Sequence, residues 1–247
     1  MSFLFIQNAF AIEIWNSKNG RSRLDSSNFK NDFYQLANFF QPQSNPILCS
    51  SATALIIKNA LFYNKIDSQK DSEFIKPNGE IIPFKLYLSQ VNFFNEKTDK
   101  IKSRSTIFFK EKALIKKSDG TISQEYDPGL NLNDFAKILK THKIKSKVYF
   151  QNEFNQTAID NFRKIAKKIL NDEESFLVVN FDGKKIGNTT NGHISPVVAF
   201  DQNTDSLLIM DVALHKNQWY WVDLKDLVNA MNTLDNDQYR GYLIARL

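Results

Sequence analysis

Apolar residues recur every three to four positions from Ser51 to Tyr63, where Ala52, Leu55, Ile56, Ala60 and Tyr63 share one side; this spacing predicts a largely buried helix. Two further helical patterns follow. Asn131 to Thr141 places Leu132, Phe135, Ile138 and Leu139 together, and Thr157 to Leu170 does the same with Ile159, Phe162, Ile165, Ala166 and Leu170. Beyond residue 172 the texture changes to short runs rich in β-branched and aromatic residues: Ser175 to Phe181, Ile194 to Phe200, Ser206 to Met210, Gln218 to Val222 and Tyr239 to Ala245. Turn signals separate them at Asp182-Gly183, Asn191-Gly192 and Asp201 to Asp205. Helices come first and strands second, which predicts an α+β fold with the helices packed on one face of an antiparallel sheet. The expected organisation is one catalytic-sized domain over 1–247, with a helical part at about 30–172 and a sheet part at about 173–247. The polar stretches Asn64 to Glu73 and Asn95 to Ser105 read as surface connections within it.

Composition narrows the function classes. A chain of 247 residues can bury a sizeable core without staples, and its one Cys excludes an internal disulfide and any multi-cysteine zinc site. Three His leave little for a His-rich metal centre. The net charge of +5 is carried by Lys spread along the whole chain, which describes a solvated surface more than a nucleic-acid patch. The apolar start, Met1 to Trp15, lacks the basic flank of a secretory signal, and no run approaches the length of a membrane span. The expectation is therefore no nucleic-acid or membrane partner and a cytoplasmic location, with secretion left open.

The single Cys admits two readings. Cys49 could be a small buried hydrophobe. It also directly precedes a helix and follows a loop broken by Pro42 and Pro46, so its sulfur would lie where uncapped N–H groups and the helix dipole favour a thiolate. A thiolate nucleophile needs a base. His142, at the polar end of a helix, reads as a solvated cation, and His215 lies in a polar loop. His193 stands between the turn Asn191-Gly192 and the apolar run Ile194 to Phe200, at the mouth of a strand, either as a half-buried structural histidine or as the base. Asp211 closes the next strand, and the turn at 201–205 brings that strand back beside His193. A carboxylate there needs a partner, and an imidazole would supply one and be oriented by it. Gln43, six positions before Cys49, could offer its amide to a developing oxyanion.

These residues carry a resemblance. Phe40-x-x-Gln43-x-x-Pro46-x-x-Cys49, Asn59-Ala-Leu61, Leu177-Val-Val-Asn-Phe181, Gly192-His-Ile-Ser-Pro196, Leu208-Ile-Met-Asp-Val-Ala213, Trp221-Val222 and Arg240-Gly241 occur in this order, with weaker echoes at Gln90-Val-Asn-Phe-Phe94 and Gly129-Leu-Asn-Leu132. Together they resemble the phytochelatin synthase family, in particular its short bacterial members without a cysteine-rich C-terminal region.

That resemblance implies a papain-like fold and an enzyme that processes glutathione. It matches Cys49, His193 and Asp211 to nucleophile, base and orienting acid, and Gln43 to the oxyanion-hole glutamine. Asn180 and Gly192 match positions near the substrate, and Asp235 with Arg240 resembles the pair that holds the γ-glutamyl head, with Asp237 as the alternative acid. It also implies no tightly bound metal or other cofactor, metal entering as a glutathione thiolate complex, glutathione as the partner molecule, and compatibility with a homodimer. Two positions depart from the family pattern: Ser50 replaces the usual Gly and Leu214 the usual Arg. A different papain-like peptidase or deamidase acting on a protein would share the Cys, His and Asp but not the Asp–Arg pair.

Overall fold

A computed structural model describes residues 12–63, 73–75, 77–83, 90–105, 112–116, 119–125 and 129–247. The apolar start over residues 1–11 and nearly all of the polar stretch beginning at Asn64 lie outside the described residues. A short edge strand β1 (Glu13–Ile14) leads into helices α1 (Lys18–Ser26), α2 (Asn31–Ala37) and α3 (Cys49–Phe62). Two small hairpins, β2 (Glu73–Ile75) with β3 (Ile81–Pro83) and β4 (Ala113–Lys116) with β5 (Ile122–Glu125), flank the short helices α4 (Gln90–Phe93) and α5 (Glu96–Asp99). Then come α6 (Leu132–Thr141), β6 (Lys145–Phe150), α7 (Gln156–Ile169), β7 (Ser175–Asp182), β8 (Gly192–Asp201), β9 (Ser206–Ile209), β10 (Tyr220–Asp223), α8 (Leu224–Met231), the two-residue strands β11 (Leu234–Asp235) and β12 (Gln238–Tyr239), and β13 (Gly241–Arg246). The result is a mixture of helices and antiparallel sheet, α+β as expected.

Seven strands form the main sheet in the order β1-β10-β9-β8-β7-β13-β6, each neighbour antiparallel to the next. The five strand patterns read from the sequence make its centre. The edges are supplied by the part expected to be helical: β6 pairs with β13, and β1 with β10. The sequence partition near residue 172 is thus not a boundary in the sheet. Lys145, Ser146 and Lys147 make β6 polar enough for an edge, where a half-exposed strand is weakly apolar and easily overlooked.

The structure corrects the expectation of helices on one face only. Phe176 and Val178 of β7 pack with Leu55 and Ile56 of α3 and Phe135 of α6, whereas Leu177, Val179 and Phe181 pack on the other side with Phe162 of α7 and Leu227 of α8. Successive side chains of a strand point to opposite faces, so the uninterrupted apolar run Phe176 to Val179 requires cover on both. Helix α8 provides part of that cover. It is capped by Asp223, whose side chain accepts from the N–H groups of Lys225 and Asp226.

The 201–205 turn joins β8 to β9 as the pattern predicted. Arg163 of α7 grips its end with Nε and Nη2 at 2.7 and 2.8 Å from the two carboxylate oxygens of Asp205, fixing the helix to the hairpin. Among the described residues no helix is long and apolar enough to cross a membrane.

Candidate active site

Helix α3 begins at Cys49, and its N-cap, Leu48, has no side chain to satisfy the first turn. The backbone N–H donors there remain for other acceptors. One turn on, Thr53 Oγ1 donates to Ile194 O at 3.0 Å, tying α3 to β8 one residue after His193. The loop before Cys49 is tied as well. Gln43 N donates to Val212 O at 2.8 Å, and Gln90 clamps the loop from α4, accepting from Ser44 N and donating through Nε2 to Pro42 O, both at 2.8 Å. Nucleophile loop, His strand and Asp segment are thereby held together by main-chain and amide hydrogen bonds.

Cys49, His193 and Asp211 meet as the sequence predicted. His193 Nε2 lies 2.7 Å from Asp211 Oδ1 in a buried contact, which leaves Nδ1 as the ring nitrogen for the hydrogen bond with Cys49. Asp211 Oδ1 also accepts from Ala213 N at 2.7 Å. Burial alone pushes the His193 imidazolium toward neutrality, but the Asp211 charge and hydrogen bond, followed by those of Cys49, raise its pKa well above the ordinary value. Burial likewise pushes the Cys49 thiol up, and His193 together with the N–H groups of Ile194 and Ser50 more than offsets it, so the thiol pKa falls. A thiolate–imidazolium pair is the form this geometry favours. Cys49 is half-buried as a residue, at the edge of the core and not sealed within it.

The substrate-side candidates gather beside His193. Asn180 of β7 is buried opposite Ile194, and its Nδ2 donates to Asp235 Oδ2 at 3.2 Å. Arg240 Nη2 stands 3.8 Å from Asp235 Oδ1, so the cation partner is Asp235 and not Asp237. Arg240 Nη1 donates to Thr233 Oγ1 and Leu234 O, while its buried Nε has no partner. Gly192 supplies the space: a Cβ there would stand 2.4 Å from Arg240 Nη2. Gly241, next to Arg240, allows the β6 backbone to approach, since a Cβ would meet Tyr149 O at 2.1 Å.

Gln43 is buried in the tied loop, and its Nε2 donates to Asn45 O at 2.9 Å. It borders the Asp211 segment, and its amide keeps one further N–H. Leu214 is exposed, as is His215. His142 differs from its reading as a solvated cation. It is buried, stacked on Phe93 with ring centroids 4.2 Å apart, and its Nδ1 lies 3.0 Å from Lys58 Nζ. Burial first, then the Lys58 charge, lowers its pKa to about 4, so it is neutral. Phe93 and Lys58 are remote in sequence, which is why the polar neighbours of His142 misled.

Sequence reasoning missed Ser195, whose Oγ lies 3.1 Å from His193 Nε2 and accepts from Val212 N at 3.4 Å. Its place two residues after His193 on the same strand face was the available signal. Among the described residues no group of three or more His, Cys, Asp or Glu side chains could hold a metal ion. A cavity of about 1100 Å³ lies elsewhere, at the C-terminal end of α3, lined by Tyr34, Tyr63, Glu173 and Arg246; the chemistry described above is at the other end of that helix.

Comparison with known proteins bears on the family. Residues 84–242 match the family model for phytochelatin synthase, a span that takes in His193, Asp211, Asp235 and Arg240 but begins after Cys49. The chain is 27% identical over 216 residues to a glutathione gamma-glutamylcysteinyltransferase of Schizosaccharomyces pombe, covering 86% of this chain and 43% of the relative. It is 26% identical to glutathione gamma-glutamylcysteinyltransferase 3 of Lotus japonicus and 25% to enzyme 2 of Arabidopsis thaliana, covering 86% of this chain and 37% and 39% of those relatives. The chain therefore spans less than half the length of these curated relatives. With the family model matched over well more than half of its residues, this chain belongs to the phytochelatin synthase family.

Proposed function

We propose that the protein is a papain-like cysteine enzyme that cleaves the Cys-Gly bond of glutathione through a γ-glutamylcysteinyl thioester on Cys49. The observation that carries the reading is the Cys49–His193–Asp211 line, half-buried at Cys49 and buried at His193 and Asp211, beside the Asp235–Arg240 pair. A γ-glutamyl head bears one α-carboxylate and one α-ammonium. Arg240 offers the first a donor and Asp235 offers the second an acceptor, at a fixed separation set by Asn180 and Gly192. The names of the relatives, glutathione gamma-glutamylcysteinyltransferases, support the same substrate.

In the proposed reaction the Cys49 thiolate attacks the carbonyl between Cys and Gly. The remaining amide N–H of Gln43 and the Cys49 backbone N–H hold the oxyanion, and His193 gives its proton to the departing glycine amine. Asp211 keeps the imidazole oriented and compensates its charge. Water then releases γ-Glu-Cys, or the amine of a second glutathione takes the acyl group and gives a longer peptide. Glutathione carrying a metal on its thiol enters as substrate, and the reaction as written requires no resident cofactor. Incubation with glutathione, with and without cadmium or zinc, followed by mass identification of products tests this. Glycine with γ-Glu-Cys indicates hydrolysis and longer repeats indicate transfer; intact glutathione beside intact Cys49 contradicts the proposal.

A further inference from the structure

Behind the Cys49–His193–Asp211 line lies a second, fully buried group of polar side chains. Asp211 Oδ2, the oxygen turned away from the principal His193 contact, is buried without a hydrogen-bond partner. Leaving a carboxylate oxygen so exposed to an apolar interior is costly unless a donor is at hand. Tyr220 is the residue placed to supply it. On β10 it pairs with Ile209 of β9, and Asp211 follows Ile209 by two positions, so both side chains stand on the same side of the sheet in a diagonal relation. The Tyr220 hydroxyl is buried, and burial first, then the Asp211 charge, pushes its pKa well above the ordinary phenol value, so it keeps its proton.

Donor and acceptor roles fix the direction of that contact. Asn188 Oδ1 accepts from Thr190 N at 3.1 Å, which orients the Asn188 amide so that Nδ2 faces Tyr220. Asn188 Nδ2 then donates to Tyr220 Oη at 3.1 Å, in a contact between buried groups. The phenol oxygen is thus occupied as an acceptor and its proton is left to be donated. One unspent donor and one unspent acceptor, both buried, stand diagonally across the β9–β10 pair.

We propose that Tyr220 is a positioning residue for the reaction, donating its hydroxyl proton to Asp211 Oδ2 under the direction of Asn188, and so holding the carboxylate that orients His193. The proposal rests on the Cys49–His193–Asp211 reading but not on the identity of the substrate. The influence of Tyr220 passes through Asp211 to the imidazole: without the donor the carboxylate is held less firmly against Nε2, and the imidazolium–thiolate pair that its charge supports forms only at higher pH.

The test is the pH dependence of Cys49 alkylation by iodoacetamide in the full chain, for the wild type, Tyr220→Phe, Asp211→Asn and the double variant. Tyr220→Phe keeps the ring and removes only the hydroxyl. The expected result is a shift of the acid limb upward by about one to two pH units, as befits loss of a hydrogen bond to a charged group. In the Asp211→Asn background the same substitution should change nothing. With glutathione, Tyr220→Phe should lower kcat and leave KM unchanged. Asn188→Ala should move the limb in the same direction by less, and serves as the second variant should Tyr220→Phe fold poorly. An unmoved limb in both variants, or an equal effect of Tyr220→Phe with Asp or Asn at 211, would overturn the proposal. Failure of the glutathione assignment would show separately, as absent glycine release from a protein whose alkylation profile is intact.

Discussion

Two buried histidines and two buried aspartates show how differently one fold treats the same side chains. His193 and Asp211 meet each other, and burial is overruled: His193 is held as the cation well above its ordinary pKa. His142 and Asp32 are buried apart from each other, and burial wins. His142, stacked on Phe93 beside Lys58, is pushed down to about 4. Asp32, fully buried in α2 with both carboxylate oxygens unpartnered, is pushed well above the usual carboxylate range by burial and then by Asp172. Desolvation thus neutralises a lone ionisable group and leaves a charge only where a partner of opposite sign is built beside it. Burial alone does not mark a site; a matched partner does.

The comparison can be broken by removing partners. Asp211→Asn keeps the shape but leaves His193 without its counter-charge, and turnover should fall by roughly 10⁴-fold, in line with the loss of an orienting acid elsewhere. Turnover within tenfold of the wild type would dismiss the role given to Asp211. Gln43→Ala removes one oxyanion donor and should lower kcat by about 100- to 1,000-fold without moving the pH profile. Arg240→Ala removes a charged donor from the substrate head, and the glutathione KM should rise by about ten- to a hundredfold with a smaller effect on kcat. An unchanged KM would favour a protein substrate over glutathione.

The other half of the comparison is read in stability. Asp32 has its pKa raised by folding, so the native state holds the proton that the unfolded chain gives up. Its contribution is fully present below the unfolded value near 4 and is lost as pH rises toward the folded value. Asp32→Asn should therefore raise stability at pH 7 by about 1–2 kcal/mol, seen as a Tm higher by roughly 2–8 °C, with the advantage vanishing near pH 4. His142 runs the opposite way. Its folded pKa is depressed from 6.5 to about 4, so the wild type loses stability as pH falls through that window. His142→Gln should flatten that loss by about 1–3 kcal/mol while leaving glutathione turnover nearly unchanged. Chemical denaturation across pH 4 to 8 checks both.

The site residues that were legible in the sequence were those whose neighbours are set by short-range signals. The turn at 201–205 returns β9 to β8, and so brings Asp211 to His193. A helix beginning at Cys49 after two prolines placed the thiol at its N-terminus. What escaped depends on contacts across long sequence separations. Phe93 and Lys58 bury His142, and Asp32 carries no local sign that its helix turns it inward. Tyr220, in an apolar run, reads as core, and indeed is core apart from its hydroxyl. The two-sided cover of the sheet was implied by the uninterrupted apolar run of β7, yet the helix that completes it, α8, announces itself only through the Asp223 cap and an eight-residue pattern.

The proposed chemistry puts an acyl group on the one thiol of this chain. Rapid acid quench of the protein with glutathione, followed by intact mass and peptide mapping, tests it most directly. The expected result is a γ-glutamylcysteinyl thioester on Cys49, formed together with one equivalent of glycine and absent from Cys49→Ala and His193→Ala. Glycine release by Cys49→Ala, or turnover of glutathione by the wild type without any adduct on Cys49 and with glycine still attached, would contradict it.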